Sequence, residues 1–530
     1  FWLIWLITML KQFGCKLARR QAPVSAHWRC FASTTYEGRG DPPDIWSDLQ
    51  PFWAGFHLSR KDFIARRKAS IQELQESYSI SEKLGEGRTS KVYRAKSVRS
   101  GADVAIKMIN KSCIPDPEML RNEVEIHKHT DHPHISRVFG TFHDDDHLYL
   151  LTELLEGGDL EEYLNCQTGG RLPEEDAMEL FRQVISSVRY LHSLGIVHRD
   201  LKPANFLCSA AARRPSGKMI IKLTDFGTSA SCGFKRRLTK RIGTDGFMAP
   251  EVYRGRPYTE KADIFSLGCV LHTLLTGRPP RRAKDFTYER NGFLLSHVSK
   301  EVQSLLDWLM QHRPYNRPSI DEVSLEPLLQ SSGTGFHDLL PISTFLEKMF
   351  EYADYPLLKK AALVAMVSHA ESDLDFLQSI EKFRSMGSLR SMNMVINAQD
   401  IHEQLQQELP DGRHVDVEHL IRKVGCNSAG SLSYSEWLAA TADRSWYSDP
   451  ARIDRAFHIL DHDCDGMISE ADLQHSLPSV PAALQKFRPV SREQFSHVIS
   501  GEQLSFFTLQ HMDDAQKAGR FRPGVSNAFA

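Results

Sequence analysis

A chain of 530 residues, 41% of them apolar and 25% charged, holds material for about two to four soluble globular domains, and its balance speaks against wholesale disorder. The formal net charge of −2 gives no reason to expect nucleic acid or an anionic membrane as the main partner. The 9 cysteines are odd in number and scattered, with no C-x-x-C pair and no Cys/His zinc spacing, so neither a disulfide framework nor a structural zinc is indicated. A reducing, intracellular and cytoplasmic setting is the simplest expectation.

The first residue is Phe1 rather than Met, which leaves the start of the protein, and its targeting, open. Phe1 to Leu10 are apolar apart from Thr8, a stretch too short for a bilayer span, and Lys11, Lys16, Arg19 and Arg20 follow it. A clipped signal, a transit peptide, an amphipathic anchor and an irrelevant leader all fit, and membrane contact stays undecided. From Ala22 to Gln50 the composition turns to Pro, Ser, Thr, Gly and Asp without apolar periodicity, which predicts a flexible arm. Arg66-Arg67-Lys68-Ala69-Ser70 places a serine after a basic cluster, an autophosphorylation site or a solvated helix face.

At Tyr78 the pattern becomes dense in motifs. Leu84-Gly85-Glu86-Gly87-Arg88-Thr89-Ser90-Lys91-Val92 is a glycine-rich turn between two predicted strands, with Ser90 where a third glycine is usual. Val104-Ala105-Ile106-Lys107 alternates as a buried strand ending in a lysine, and Glu123 falls in a helical stretch. Leu148 to Leu155 is a nearly continuous apolar strand that breaks at Glu156-Gly157-Gly158-Asp159. His198-Arg199-Asp200-Leu201-Lys202-Pro203-Ala204-Asn205 follows, and then Leu223-Thr224-Asp225-Phe226-Gly227.

In this order and spacing the motifs resemble the catalytic core of a protein kinase, a bilobal fold that closes over ATP. The resemblance implies that Asp200 orients the substrate hydroxyl and accepts its proton, that Lys202 touches the γ-phosphate, and that Asn205 and Asp225 hold Mg²⁺. It also implies that Gly85 and Gly87 let the backbone approach the phosphates, with Leu84, Val92 and Ala105 beside the nucleotide. Lys107 would take the α/β-phosphates and pair with Glu123. Thr152 would be the gatekeeper, Glu153 and Leu155 would offer backbone groups to adenine, Asp159 would bind ribose and Leu207 would floor the adenine site. Lys202, two residues after Asp200, points to Ser/Thr rather than Tyr substrates.

Beyond Gly227 an activation segment runs to Ala249-Pro250-Glu251, and Asp263-Ile264-Phe265-Ser266-Leu267-Gly268 follows, Phe265 standing where the family usually has Trp. The resemblance implies a structural ion pair between Glu251 and Arg317. Ala204 replaces an acid found in many basophilic relatives, which weakens any expectation of Arg-directed substrates. Lys240 lies where an acid often faces the catalytic-loop arginine, so Arg199 has no evident partner. Lys235, Arg236, Arg237, Lys240 and Arg241 crowd positive charge into this segment, and phosphate on Thr239 would order it by pairing with Arg199.

Gln330 to Gly335 reads as a linker, and Leu339 to Ala370 as two helical stretches broken around Tyr355-Pro356. Leu357, Leu358, Ala361, Ala362, Val364 and Ala365 follow an amphipathic spacing. Farther on, Asp461-His462-Asp463-Cys464-Asp465-Gly466-Met467-Ile468-Ser469-Glu470-Ala471-Asp472 is a near match to an EF-hand loop. Asp461, Asp463 and Asp465 alternate around one hard cation, Gly466 makes the sharp turn, Met467 gives a carbonyl and Ile468 pairs with a neighbouring loop. Asp472 stands where a bidentate Glu is usual, which predicts weaker Ca²⁺ binding or some Mg²⁺ occupancy. Gly425 to Glu436 has the loop's shape with poor ligands, and Leu389 to Asp400 and His497 to Thr508 read as two further relics with ligand sets too poor to assign a cation.

From about Tyr78 to Met512 the chain therefore resembles the calcium-dependent protein kinase family, and Leu357 to Leu363 resembles the junction between its kinase and calmodulin-like parts. The resemblance implies an α+β bilobal kinase with a C-terminal all-α EF-hand domain: a flexible region at 1–77, the kinase domain at 78–329, junction helices at 330–372, a degenerate EF-hand domain at 373–512 and a tail at 513–530. The expected activity is transfer of the γ-phosphate of Mg-ATP to protein Ser/Thr hydroxyls, with ATP, Mg²⁺ and Ca²⁺ as cofactors. The EF-hand region would dock on the kinase domain and adjust it. The alternative from another class is a calcium-responsive scaffold whose kinase fold is silent.

Overall fold

The computed structural model describes residues 69–500 except 88, 99–100, 115–116, 210–218, 233–236, 283–287, 290–294, 331–339, 371–373, 388–394, 409–415, 426–429 and 477–486. The apolar leader, the arm, the basic run before Ala69, Lys235, Arg236 and the sequence after Ser500 lie outside the described residues.

Strand β1 (Ala69–Ser70) and helix α1 (Ile71–Ser77) precede β2 (Tyr78–Glu86), β3 (Ser90–Ser97) and β4 (Asp103–Asn110). Helix α2 (Pro117–His129) then leads to β5 (Val138–His143) and β6 (His147–Glu153). The strands form one sheet in the order β1-β5-β6-β4-β3-β2, antiparallel except where β1 runs beside β5. Apolar and β-branched residues place β4 at its centre: Val104 and Ile106 pack with Leu74, Ala95, Tyr149 and Leu151. Strand β2 is a largely exposed edge whose register slips between Ile80 and Lys83 and again between Lys83 and Gly85. Such irregularity releases the glycine turn from strict pairing.

The larger lobe is helical. Its central helix, Lys261–Thr276, is buried from Ala262 to Thr276, as a helix apolar on every side must be. Two short strands, Phe206–Cys208 and Ile221–Leu223, pair antiparallel and carry the ends of the catalytic and Asp-Phe-Gly segments. Arg317 grips both oxygens of Glu251, at 2.6 and 2.8 Å, and its guanidinium lies 5.0 Å from the Phe265 ring, so Phe265 supplies the apolar wall of that pair.

The two helices of the predicted junction are Ile342–Ala353 and Leu357–Ser368, with the break at Tyr355-Pro356. The second is not amphipathic in place: every residue from Leu358 to Ser368 is buried. It packs against Tyr434–Thr441 and Pro450–Leu460 and so forms the centre of the C-terminal module. Its lysines tolerate burial because their heads find partners: Lys360 Nζ donates to the carbonyls of Ala353 and Lys423 at 2.8 and 2.6 Å, and Lys359 Nζ lies 4.1 Å from the Tyr355 ring centre.

Two miniature sheets stitch this module, Ile396–Asn397 with Ser431–Leu432 and Met467–Ile468 with Val490–Ser491. Ile468 thus pairs as expected from the sequence. The relic expected at His497 to Thr508 is misplaced: the pairing strand is at Val490–Ser491, and His497 lies inside the following helix, Arg492–Ser500. Ile396, Leu432 and Ile468 are evenly spaced, but the last strand comes early, so extending their period overshoots it. Among the described residues, no helix is long and apolar enough to cross a membrane.

Candidate active site and cation loop

The glycine turn lies over one end of the sheet, where Gly85 faces Val92, Val92 faces Lys107 and Ala105 faces Thr152 across successive strands. Gly87 N–H donates to Ser90 O at 2.8 Å and closes the turn, while Leu84 on β2 is exposed. At the far wall Leu207 bridges to Asp159, and Gly157 runs so close to the carbonyls of Cys208 and Ser209 that a Cβ would lie 2.6 and 2.5 Å from them. Only glycine fits there. Leu155 lies just past β6 and is half-buried. These pairings set Gly85, Val92, Lys107, Ala105 and Thr152 side by side and Asp159 beside Leu207, around the cleft expected to take the nucleotide.

Lys107 is the charged centre of that cleft. Its Nζ donates to Glu123 Oε1 at 2.5 Å and to Asp225 Oδ1 at 2.9 Å. Burial pushes the Glu123 carboxyl above its usual range despite Lys107, whereas the Lys107 ammonium holds Asp225 down at about 2. Asp225 and Arg199 both have left-handed backbone, with φ of 64° and 72°, a conformation that non-glycine residues keep only under tertiary constraint. At Gly227 a Cβ would lie 3.0 Å from Glu123 Oε2, so the glycine lets the helix carboxylate come in beside Asp225.

Asp200 is nearly buried, and its two oxygens differ. Oδ2 lies 3.1 Å from Lys202 Nζ, and Asn205 Nδ2 donates to the Asp200 carbonyl at 2.7 Å; Oδ1 is buried with no hydrogen-bond partner. Lys202 also donates to Thr244 Oγ1 at 2.8 Å, tying the catalytic loop to the activation segment. Asp200 thus keeps one carboxylate oxygen without a partner, and Asn205 and Asp225 carry side-chain oxygens of the kind Mg²⁺ prefers.

Several groups that sequence reasoning missed hold this geometry. Asp263 is fully buried and accepts the N–H groups of His198 and Arg199 at 2.8 and 2.9 Å, with His192 Nε2 at 3.0 Å, so it pins the catalytic-loop turn. The Phe226 ring lies between His127 on α2 and His198, at 4.8 and 5.5 Å. Behind the cleft Lys222 Nζ contacts both oxygens of Glu153, at 3.0 and 2.8 Å, and Glu153 also accepts Arg137 N–H at 2.6 Å. A buried salt bridge between segments far apart in the chain has no local motif. The expectation that Arg199 lacks a partner is corrected: its Nε donates to Thr228 O and its Nη2 to Ser229 O at 3.3 Å, acceptors that are backbone carbonyls and therefore invisible in side-chain identities.

In the C-terminal module, carboxylate oxygens of Asp461, Asp463 and Asp472 lie within 4.8 Å of one another. Asp461 Oδ1 is buried and has no hydrogen-bond partner, and burial, reinforced by neighbouring carboxylates, raises its pKa. Asp472 accepts from His462 N–H at 2.9 Å, and from Ser469 N–H and Oγ at 2.8 and 2.6 Å. Burial opposes ionisation of Asp472, but these hydrogen bonds win and hold its pKa below the usual range. Asp465, expected beside Asp463, is outside the trio: its Oδ1 accepts Met467 N–H at 2.7 Å and its side chain is exposed. The donor set is all oxygen, which fits a hard divalent cation.

The module touches the smaller lobe. Arg137 Nη1 donates to Ala370 O at 2.7 Å, Phe139 stacks on His369 with ring centres 5.5 Å apart, and Ser435 donates to both oxygens of Asp131, at 3.1 and 2.8 Å.

Comparison with known proteins agrees with this geometry. Residues 78–329 match the family model described as "Protein kinase domain". The chain is 28% identical to calcium-dependent protein kinase 5 of Plasmodium falciparum over 84% of its own length and 77% of the relative's. It is 27% identical to calcium-dependent protein kinase 4 of Plasmodium berghei over 75% of its length and 79% of the relative's. Serine/threonine-protein kinase PLK4 of Drosophila virilis is 35% identical over 49% of the chain, which spans only 34% of that relative. The chain carries a protein kinase domain and is similar to serine/threonine-protein kinases, resembling calcium-dependent protein kinases over most of its length.

Proposed function

We propose that the chain transfers the γ-phosphate of Mg-ATP to Ser/Thr hydroxyls of proteins, and that Ca²⁺ bound at Asp461, Asp463 and Asp472 adjusts this activity. The observation that carries the first part is Lys107 held between Glu123 and Asp225 while Asp200 Oδ1 is left to accept a proton. Lys107 positions the α/β-phosphates, Glu123 aims the lysine, and Asp200 orients the hydroxyl and takes its proton. Lys202, set by Asp200 and Thr244, faces the γ-phosphate. Mg²⁺ held by Asn205 and Asp225 supplies charge neutralisation on the phosphates.

The calcium part is supported by a continuous packed path. The acidic loop follows Pro450–Leu460, which packs on Leu357–Ser368; just beyond that helix, Ala370 O accepts from Arg137, whose N–H binds Glu153 beside the adenine wall. A change at the loop can reach the cleft through these contacts.

The test is phosphorylation of a Ser/Thr protein by the purified full chain with Mg-ATP, in Ca²⁺ and in chelator. Lys107→Met and Asp225→Ala each lower turnover by about a thousandfold or more with the fold intact. Asp461→Ala removes the difference between Ca²⁺ and chelator. Wild-type turnover in Lys107→Met overturns the catalytic assignment; an undiminished calcium response in Asp461→Ala overturns the regulatory one.

A further inference from the structure

The surface beside the phosphotransfer site is basic although the chain as a whole is close to neutral, with a net charge of −2. From Lys202 the contact to Thr244 leads to Asp245-Gly246, and a Cβ on Gly246 would lie 3.3 Å from Pro279. The segment that begins at Arg278 therefore abuts the strip leading to Asp200. Arg237, Lys240, Arg241, Arg278 and Arg281 are all exposed.

Tertiary contacts hold the Arg241 side chain and the backbone on either side of Thr239 in place. Arg241 lies 4.0 Å from the Tyr253 ring centre, Tyr258 donates to Lys240 O at 2.8 Å, and Leu238 pairs with Tyr258. Among the described residues, Arg237, Arg241, Arg278 and Arg281 make no ion pair with a carboxylate. Several acids are committed elsewhere: Glu251 is taken by Arg317, Asp263 by the catalytic-loop turn, and Glu156 by Arg94 at 2.8 Å; Asp245, which accepts Gly246 N–H at 3.1 Å, and Glu289, opposite Arg281 in the strand register, are acids set among the cations. Asp159 and Glu162 cap their own helix. Ala204, in the catalytic loop itself, offers only a methyl group.

Exposed cations beside a site that must admit a peptide attract anionic side chains and repel basic ones. We infer that the preferred substrate is an acidic peptide, with carboxylate or phosphate groups close to the acceptor hydroxyl. This rests on the phosphotransfer reading above and sharpens its substrate class. The contacts are solvent-exposed, so each is worth little alone, and the preference comes from several acting together and fades with salt.

The test uses the full chain, Mg-ATP and matched Ser/Thr peptides flanked by Asp/Glu, by phosphoserine, by neutral residues or by Lys/Arg. Anionic peptides are turned over with kcat/KM about tenfold above basic ones at low salt, and the ratio shrinks toward one near 0.5 M salt. Arg278→Glu combined with Arg281→Glu lowers or inverts the acidic-to-basic ratio. The carboxylate and phosphoserine arms tell intrinsically acidic substrates from primed ones. Preference for Lys/Arg-flanked peptides, or a ratio unmoved by the double charge reversal, overturns the inference while leaving the kinase reading intact. Turnover of no peptide, with no autophosphorylation, overturns the kinase reading itself.

Discussion

Lys222→Met tests how firmly the cleft is tied to what lies behind it. Lys222 is 1% exposed and contacts both oxygens of Glu153, itself 5% exposed, so the substitution removes one partner of a buried ion pair while keeping the side chain's length. Stranding a buried charge in this way costs ~3–5 kcal/mol. Glu153 retains the Arg137 N–H at 2.6 Å and the Arg137 guanidinium at 4.0 Å, which places the expected loss at the lower end, ~3 kcal/mol. For a domain of this size that lowers the melting midpoint by about 6–12 °C, read by thermal unfolding of the purified protein. Adding Glu153→Gln removes the stranded charge and recovers about 2 kcal/mol, a coupling that a double-mutant cycle isolates. On the placement of Glu153 beside adenine proposed above, KM for ATP rises in Lys222→Met and recovers in the double variant. A loss below about 1 kcal/mol, or costs that simply add, refutes the reasoning.

Burial raises the Glu123 pKa, so activity falls as pH drops through a value above the ordinary carboxyl range: protonated Glu123 no longer pairs with Lys107. The stability contribution has the opposite sign, because the folded state then binds the proton more tightly than the unfolded chain and Glu123 destabilises progressively less as pH falls through that window. Comparing pH–rate and pH–stability profiles of wild type and Glu123→Gln checks both limbs. Asp461→Ala removes most of the calorimetric Ca²⁺ uptake, since Asp461 carries the buried open oxygen of the acidic trio; several equal sites would contradict that. Asp131→Ala, which deletes two hydrogen bonds to Ser435, weakens docking of the C-terminal module by ~2 kcal/mol, seen as faster hydrogen exchange in Tyr434–Thr441.

Motif chemistry is local, and that is why so much of the cleft could be read from the chain alone. Asp200, Lys202 and Asn205 fall in one loop, Asp225 in one turn, and Val104 to Lys107 in one strand, though Val104, Ala105 and Ile106 are all buried where the sequence suggested alternation. Three of the four loop strands of the C-terminal module also followed from a regular period. Long-range partners could not be read. Asp263 beneath His198 and Arg199, Lys222 against Glu153, and Arg137 against Ala370 join segments remote in sequence, and a buried charge becomes intelligible only when its partner is in place. The apolar spacing of Leu357–Ser368 announced a helix but not its surroundings, because periodicity reports one buried face and here the neighbouring helices cover all of them. The type of chemistry was thus determined by residues close in sequence, whereas the supports that hold it, and the contact between the smaller lobe and the C-terminal module, were decided by packing across the whole fold.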